Sequence, residues 1–468
     1  MFNWLFAQQH HGQFILRIED TDRQRFVPGA MEKIIDALNW YGLVPDEGPK
    51  NGGPFGPYIQ SQRLEIYCHH VDELLKHDQA YYCFCTPQRL AELRAKQMAD
   101  KKPTKYDKRC AIISYSQAKA RLRAGESAVV RMRLPDLGEV KLTDIIRGTV
   151  TFKYELQDDS VILKTDGYPT YHLANVVDDH LMGISHVIRA EEWLSSVPKH
   201  IFLYQAFKWT IPQFAHLPLL LGHDRSKLSK RHGAVSALSF RDQGYLPEAM
   251  INFLLLMGWH PKSNQEIISR TQAIKDFTWT GFNPAGAVFD QTKLNWFNGW
   301  YIRHLSDQEF IRSLKPFWKL PSSDISAQRL TAAANLVRDR LSKFGEINEL
   351  INYIFPSVWD KEIPSFDRQL IIYKSGTVSN ASAALAWAGK WLAKYRGPWQ
   401  AAKLKTLMLK DIVKDKKNNG DILWPVRVAL TLRRASPDVF DLLAYLGSAE
   451  SQRRIDHVRT TIALTNSQ

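Results

Sequence analysis

Cysteine is scarce: four in 468 residues cannot build the disulfide framework of a small secreted domain, and such usage points to a reducing compartment. Long apolar runs are missing too. The most apolar stretch, residues 253–257 with Met250 and Ile251, falls far short of the roughly 20 residues that cross a bilayer, so no membrane span is expected. Residues 1–7 lack a basic segment leading into an apolar core and a small-residue cleavage site, so no secretory signal is read there. Internal repeats and low-complexity tracts are absent, and 44% hydrophobic residues with 14 Trp exclude a disordered chain.

What the sequence does have is positive charge. Lys plus Arg outnumber Asp plus Glu by 62 to 48, a net +14, which suits a phosphate-rich partner and equally suits plain solubility. The length implies about three domains. Phe2, Leu5 and Phe6 fall on one side of an opening helix that Gly12 would end in a left-handed cap. Residues 14–18 then read as a strand that delivers Glu19 and Asp20 at its carboxyl end, where open α/β sheets bind ligands. A helix over 29–41 closes at Gly42, and strand-like runs return at 161–164, 186–189 and 217–221 with a helix over 199–207. The alternation predicts an α/β, doubly wound layer over residues 1–57 and 155–305, interrupted by a basic inserted lobe at 58–154. Beyond 306 the spacing is helical, as in Trp387, Trp391 and Tyr395, with Ser436-Pro437 starting and Gly447 stopping a last helix. This predicts an all-α region over 306–468, in two subdomains at 306–375 and 376–468.

The sharpest local signal is Lys227-Leu228-Ser229-Lys230-Arg231. Two lysines at i and i+3 beside a hydroxyl can hold a triphosphate while charge moves onto departing pyrophosphate; alone, the five residues fit a basic surface loop as well. Their context is decisive. The string resembles the Lys-Met-Ser-Lys-Ser signature of class I aminoacyl-tRNA synthetases, in the form that glutamyl enzymes use. Four other stretches resemble the same family in the same order: Arg17-Ile18-Glu19-Asp20-Thr21-Asp22, Gly56-Pro57-Tyr58 with Gln60-Ser61, residues 166–175, and Arg189-Ala190-Glu191-Glu192-Trp193-Leu194. A looser likeness continues through 296–303 and Pro425-Val426-Arg427-Val428-Ala429-Leu430.

The resemblance implies a Rossmann-type catalytic domain, an insertion that clasps the acceptor end of tRNA and a helical anticodon-binding region. It implies a reaction in which glutamate and ATP, accompanied by Mg2+, form an adenylate whose glutamyl group moves to tRNA(Glu). Lys227, Ser229, Lys230 and Arg231 would be catalytic. Glu19 would meet the α-ammonium of glutamate, Tyr171 its side-chain carboxylate, and Asn175 and Arg189 its α-carboxylate. Glu192, Trp193 and Leu220 would line the adenosine site, with Lys230 on the phosphates, and Arg338, Arg340 and Arg427 would touch tRNA. Taken singly, each residue has a plainer reading: a surface carboxylate for Glu19, a buried hydroxyl for Tyr171, an ion pair for Arg189, core packing for Trp193 and helix-surface charge for Arg338 and Arg340. The implied setting is a cytoplasmic monomer that binds neither DNA nor membrane, with the mitochondrial matrix as the alternative site. A non-discriminating member would also charge tRNA(Gln).

Two departures from the family pattern matter. Cys83, Cys85 and Cys110 resemble a zinc site of some glutamyl enzymes, yet the family's histidine two residues after the third cysteine is Ile112 here. Three ligands leave a structural Zn2+ site open; Tyr106 is the substitute, in a place where a tyrosine serves in a related tRNA-modifying enzyme, and reduced cysteines in a packed lobe are the other reading. The family's Pro-Ser-Pro-Thr-Gly run and His-Ile-Gly-His signature do not stand in this sequence. The expectation is a true start upstream of Met1. The rival is a tRNA-binding remnant that cannot activate an amino acid.

Overall fold

The computed structural model describes residues 1–229, 237–319 and 325–463. Lys230 and Arg231 therefore lie outside the described residues. The chain divides into two compact units, residues 1–238 with 251–290, and residues 239–250 with 291–468.

In the first unit the strands are β1 (Ala80–Cys83), β2 (Val129–Met132), β3 (Glu139–Asp144), β4 (Gly148–Lys153), β5 (Val161–Leu163), β6 (His186–Ala190), β7 (Gln213–Leu217), β8 (Leu220–Leu221) and β9 (Ala287–Val288). They form three sheets, ordered β1-β2-β5, β4-β3-β7-β6 and β8-β9. The second sheet positions the site. β6 and β7 are parallel, so the chain must cross over between them, and it does so through helix Val197–Ala206, whose Val197, Ile201 and Leu203 are buried. β3 and β4 form an antiparallel hairpin that joins β7 at one parallel pairing, Asp144 with Phe214. Tyr67, Met132, Ile162, Leu173, Val176, Leu203 and Phe214 belong to the core around this sheet. Burying each such side chain fully contributes about 1.5–3 kcal/mol.

Three local expectations are corrected. Residues 14–18 form no ladder: Ile15 and Ile18 make isolated parallel bridges to Glu47 and Ile59. The facing segment doubles back between Gly48 and Gly52, so it cannot run alongside. The left-handed residue after helix Phe2–Gln9 is His11, at φ 53, rather than Gly12, whose N–H bonds Ala7 O at 2.8 Å. The expected strand over 217–221 breaks at Pro218, which has no N–H to donate, leaving β7 and β8. Helix Ala30–Tyr41 does end at Gly42 with φ 64.

Helix Tyr171–Leu181, which carries two of the candidate residues, is anchored by a buried carboxylate. Asp178 accepts from Arg63 Nε at 2.8 Å, Tyr67 OH at 2.7 Å and Gln60 Nε2 at 3.0 Å. Arg17 bridges the adjacent Asp179 at 2.8 Å. A buried charge is tolerated only with such a full complement of donors.

The second unit is helical. Among its helices are Gln291–His304, Ala327–Asn335, Val378–Lys394, Ala401–Lys414, Asn419–Thr431 and Val439–Ala463, packed on a core that includes Phe310, Trp359, Leu385, Leu404, Val426 and Ile455. The last helical run, Val439–Ala463, corrects one expected helix end and keeps the other. Asp438, not Ser436, receives the Phe440 N–H, at 2.9 Å, as an N-terminal aspartate does well. Gly447, at φ 77 and ψ 178, is non-helical: the helix that begins at Val439 stops there as expected, and a second helix follows across the kink. Among the described residues no helix is long and apolar enough to cross a membrane.

Candidate active site

Tyr171 and Asn175 stand one turn apart on helix Tyr171–Leu181, and Asn175 is buried. The parallel register of β6 and β7 sets Arg189 opposite His216. From there the Arg189 guanidinium donates to His216 Nε2 at 3.2 Å, Tyr171 OH at 3.1 Å, His200 Nδ1 at 3.3 Å and the Trp193 carbonyl at 3.3 Å. The Trp193 indole follows β6 in the 3-10 helix Glu191–Ser196 and lies 4.4 Å from the Tyr171 ring, tilted by 39°. Glu192, its neighbour, forms an ion pair with Lys227.

Lys227 reaches that carboxylate because the chain turns back after β8. Gly222 N–H bonds Ser226 O at 2.8 Å, and Leu228 N–H bonds Leu220 O at 2.8 Å. The start of the cationic loop is thereby laid against Leu220, and Ser229 is exposed at its end. Six described members of the predicted set are thus linked, Leu220 to the loop, Lys227 to Glu192, Trp193 to Tyr171 and Tyr171 to Arg189, while Asn175 joins them only by standing on the Tyr171 helix. Glu19 is exposed, 3.5 Å from Arg17, and its charge acts on Tyr171.

The electrostatics favour an anionic guest. Burial pushes the Tyr171 hydroxyl up, so it is a neutral partner. Burial first, then the Arg189 charge, lowers His200 well below its ordinary value; burial, then Lys199 and Arg189, lowers His172 to about 4. Both rings are neutral near pH 7, and they meet each other at 3.1 Å. Asp144 is buried, which would raise its carboxyl. The His216 ring and the backbone N–H groups of Arg147, Ile146 and His216 outweigh that and hold it below the ordinary range.

Asp144, His200 and His216 were not singled out from the sequence. Nothing local marks Asp144, which reaches the site only through the pairing of β3 with β7. His216 has a weak signal: it stands just before Leu217 in the apolar run that precedes the cationic loop.

The cysteine cluster is compact. The three sulfurs of Cys83, Cys85 and Cys110 lie within 4.8 Å of one another, with Cys85 and Cys110 3.6 Å apart. The Tyr106 hydroxyl is 3.4 Å from both Cys83 and Cys85. Sulfurs at about 2.3 Å from one tetrahedral zinc would be roughly 3.7 Å apart, so this donor set fits such an ion. Arg89 also approaches Cys85 at 3.5 Å.

The three arginines of the helical unit differ. Arg338 directs its donors inward, to Asp307 at 2.8 Å and to the carbonyls of Ile302 and Leu305, and it covers the Phe310 ring at 4.7 Å. Arg340 is exposed. Arg427 lies 4.7 Å over the Trp424 ring, and burial followed by the nearby Arg340 charge lowers its pKa.

Comparison with known proteins agrees with this arrangement. Residues 1–296 match the family described as tRNA synthetases class I (E and Q), catalytic domain, and residues 309–459 match an anticodon binding domain. A glutamate–tRNA ligase of Dehalococcoides mccartyi is 42% identical, over 97% of this chain and 92% of that protein. One from Moorella thermoacetica is 40% identical, over 97% and 93%. A crystal structure of a glutamate tRNA ligase from Elizabethkingia meningosepticum in complex with its amino acid superposes with a TM-score of 0.86 at 33% identity, covering 98% of this chain and 95% of that one. The α/β layer with its following helical region is thus the class I synthetase architecture, and the chain belongs to the glutamate–tRNA ligases of the class I tRNA synthetases.

Proposed function

We propose that this chain joins glutamate to tRNA(Glu) by way of a glutamyl-adenylate, with MgATP as the second substrate. The observation that carries the reading is the unbroken line of contacts from Lys227 through Glu192, Trp193 and Tyr171 to Arg189. It supports a reading in which Lys227 serves the nucleotide and Arg189 a carboxylate. An oxygen of the glutamate α-carboxylate attacks the α-phosphorus of ATP and pyrophosphate leaves; a hydroxyl of the terminal tRNA ribose then attacks the acyl carbon and AMP leaves. No protein nucleophile is needed, so the residues act by position and charge. Arg189 and Asn175 hold the α-carboxylate, Tyr171 the side-chain carboxylate and Glu19 the ammonium. Glu192, Trp193 and Leu220 hold the adenosine. Lys227, Ser229, Lys230 and Arg231 bear on the triphosphate as charge develops on pyrophosphate.

Residues 58–154 would clasp the acceptor end and the helical unit the anticodon, with Arg340 and Arg427 on the RNA and Arg338 behind them. Cys83, Cys85, Cys110 and Tyr106 would hold a zinc ion that cross-links the lobe and takes no part in the reaction. The free thiols suit the cytoplasm. The test is Lys230→Ala in ATP–pyrophosphate exchange: exchange should fall by about a hundredfold or more, as for loss of a transition-state cation, while tRNA binding persists. Unchanged exchange rejects the assignment of this loop.

A further inference from the structure

Arg189 is notable for what it does not touch. A half-buried guanidinium is ordinarily matched by a carboxylate, yet the partners given above are a phenol, two imidazoles and a backbone carbonyl, and among the described residues it makes no ion pair. Its charge is left for a ligand while its direction is fixed from behind. The fixing group can be traced. For His216 Nε2 to accept the Arg189 Nε–H, the ring proton must sit on Nδ1, and Nδ1 faces Asp144 Oδ2 at 2.6 Å. Asp144 cannot turn away, because Oδ1 accepts the N–H groups of Ile146 at 3.0 Å and Arg147 at 2.9 Å, and Oδ2 also accepts the His216 N–H at 3.1 Å. Both side chains of the pair are fully buried, at 0% exposure. Neither can touch a substrate.

We propose that Asp144 and His216 are positioning residues for the amino-acid pocket: Asp144 locks the His216 tautomer, and His216 in turn holds the Arg189 guanidinium toward the α-carboxylate of glutamate. This rests on the assignment of Arg189 to that carboxylate and adds the device that aims it. The aim matters because a guanidinium binds through a rigid planar fork. Rotating it moves its donors off the ligand while leaving its charge in place.

Asp144→Asn tests the device with almost no change of shape. The amide oxygen keeps the Ile146 and Arg147 N–H groups, and the amide NH2 then faces His216. That moves the ring proton to Nε2, where it opposes the Arg189 Nε–H. In aminoacylation by the full chain at saturating ATP and tRNA, KM for glutamate should rise about tenfold or more, with KM for ATP near wild type. His216→Gln, which carries an amide oxygen to the Nε2 position, should keep most of the glutamate affinity. His216→Leu, with no acceptor, should lose it to the extent of Asp144→Asn. This second pair keeps the test open should Asp144→Asn fold poorly. A purely packing role would lower the melting temperature and the active fraction but leave KM for glutamate alone, and that result overturns the proposal. Arg189→Lys separates the two levels. If it leaves KM for glutamate unchanged, the assignment of Arg189 itself fails; if it raises KM while Asp144→Asn and His216→Leu do not, only the positioning role is overturned.

Discussion

Glu192 holds the Lys227 ammonium on its carboxylate, one residue before the indole that lies against Tyr171. Both partners are substantially exposed, at 59% and 36%, so the pair contributes less than about 1 kcal/mol to stability. The role proposed for it is to hold the start of the loop toward the nucleotide. Glu192→Gln should leave the thermal melt unchanged within error yet raise KM for ATP several-fold, measured by pyrophosphate exchange at saturating glutamate. A shifted melt with an unaltered KM would show instead that the pair serves the fold.

The histidines behind Arg189 make stability depend on pH. His172 titrates at about 4 in the folded chain against about 6.5 when unfolded. The unfolded state therefore binds the proton first as pH falls. The stabilisation is complete above pH about 6.5 and is lost on descending to about 4, on the order of 3 kcal/mol for this ring. Since His172 Nδ1 meets His200 Nε2, His172→Asn keeps an acceptor there without a titrating ring. Its melting temperature should fall less steeply between pH 7 and pH 4.5 than that of the wild type, the remaining slope belonging in part to His200. Parallel slopes would clear His172 of the effect.

Zinc should accompany the cysteine cluster. Protein purified with zinc in the medium is expected to hold about one ion per chain and to lose it in Cys85→Ser, with a melt lowered by several degrees after chelation. Protein that holds no metal, whose melting temperature chelation leaves unchanged and whose cluster thiols react with an aromatic disulfide only after denaturation, would leave the cluster as reduced cysteines packed around Tyr106.

Arg338 and Arg340 should separate cleanly. Arg338→Ala removes the donors that meet the carbonyls of Ile302 and Leu305 and uncovers Phe310, so it should cost about 1–3 kcal/mol of stability. Arg340→Ala should leave the melt alone and weaken tRNA binding, with the slope of log K against log salt reduced by about one. Equal RNA affinity and salt slope in Arg340→Ala would remove it from the interface.

Much of the candidate site is legible in the sequence, because short strings such as Lys227-Leu228-Ser229 and Arg189 to Trp193 depend on residue type at fixed spacing, and the structure links them by contacts. Helix Ala30–Tyr41 was legible for a similar reason: Gly29 and Gly42 both require a left-handed backbone. What escaped was set by distant partners. Whether residues 14–18 make a ladder depends on the path of 45–59, and a proline two residues before Leu220 decides that one apolar run becomes two strands. Gly447 is legible as a stop because glycine takes the positive φ at which helices end, whereas nothing local marks the second helix that follows it, which is held by buried Ile455 and Val458. Asp144 had no chance of being found by pattern.

The hairpin of β3 and β4 belongs by sequence to the inserted lobe, but its last carboxylate is built into the sheet that bears Arg189. The lobe is therefore not an interchangeable attachment. On the positioning role proposed for Asp144, a graft that brought in the corresponding segment from a distant synthetase would have to end its strand in an acid at that position, or the recipient should lose its grip on the amino acid while keeping its hold on RNA. Recombination between relatives should respect that seam, with Asp144 and His216 inherited together.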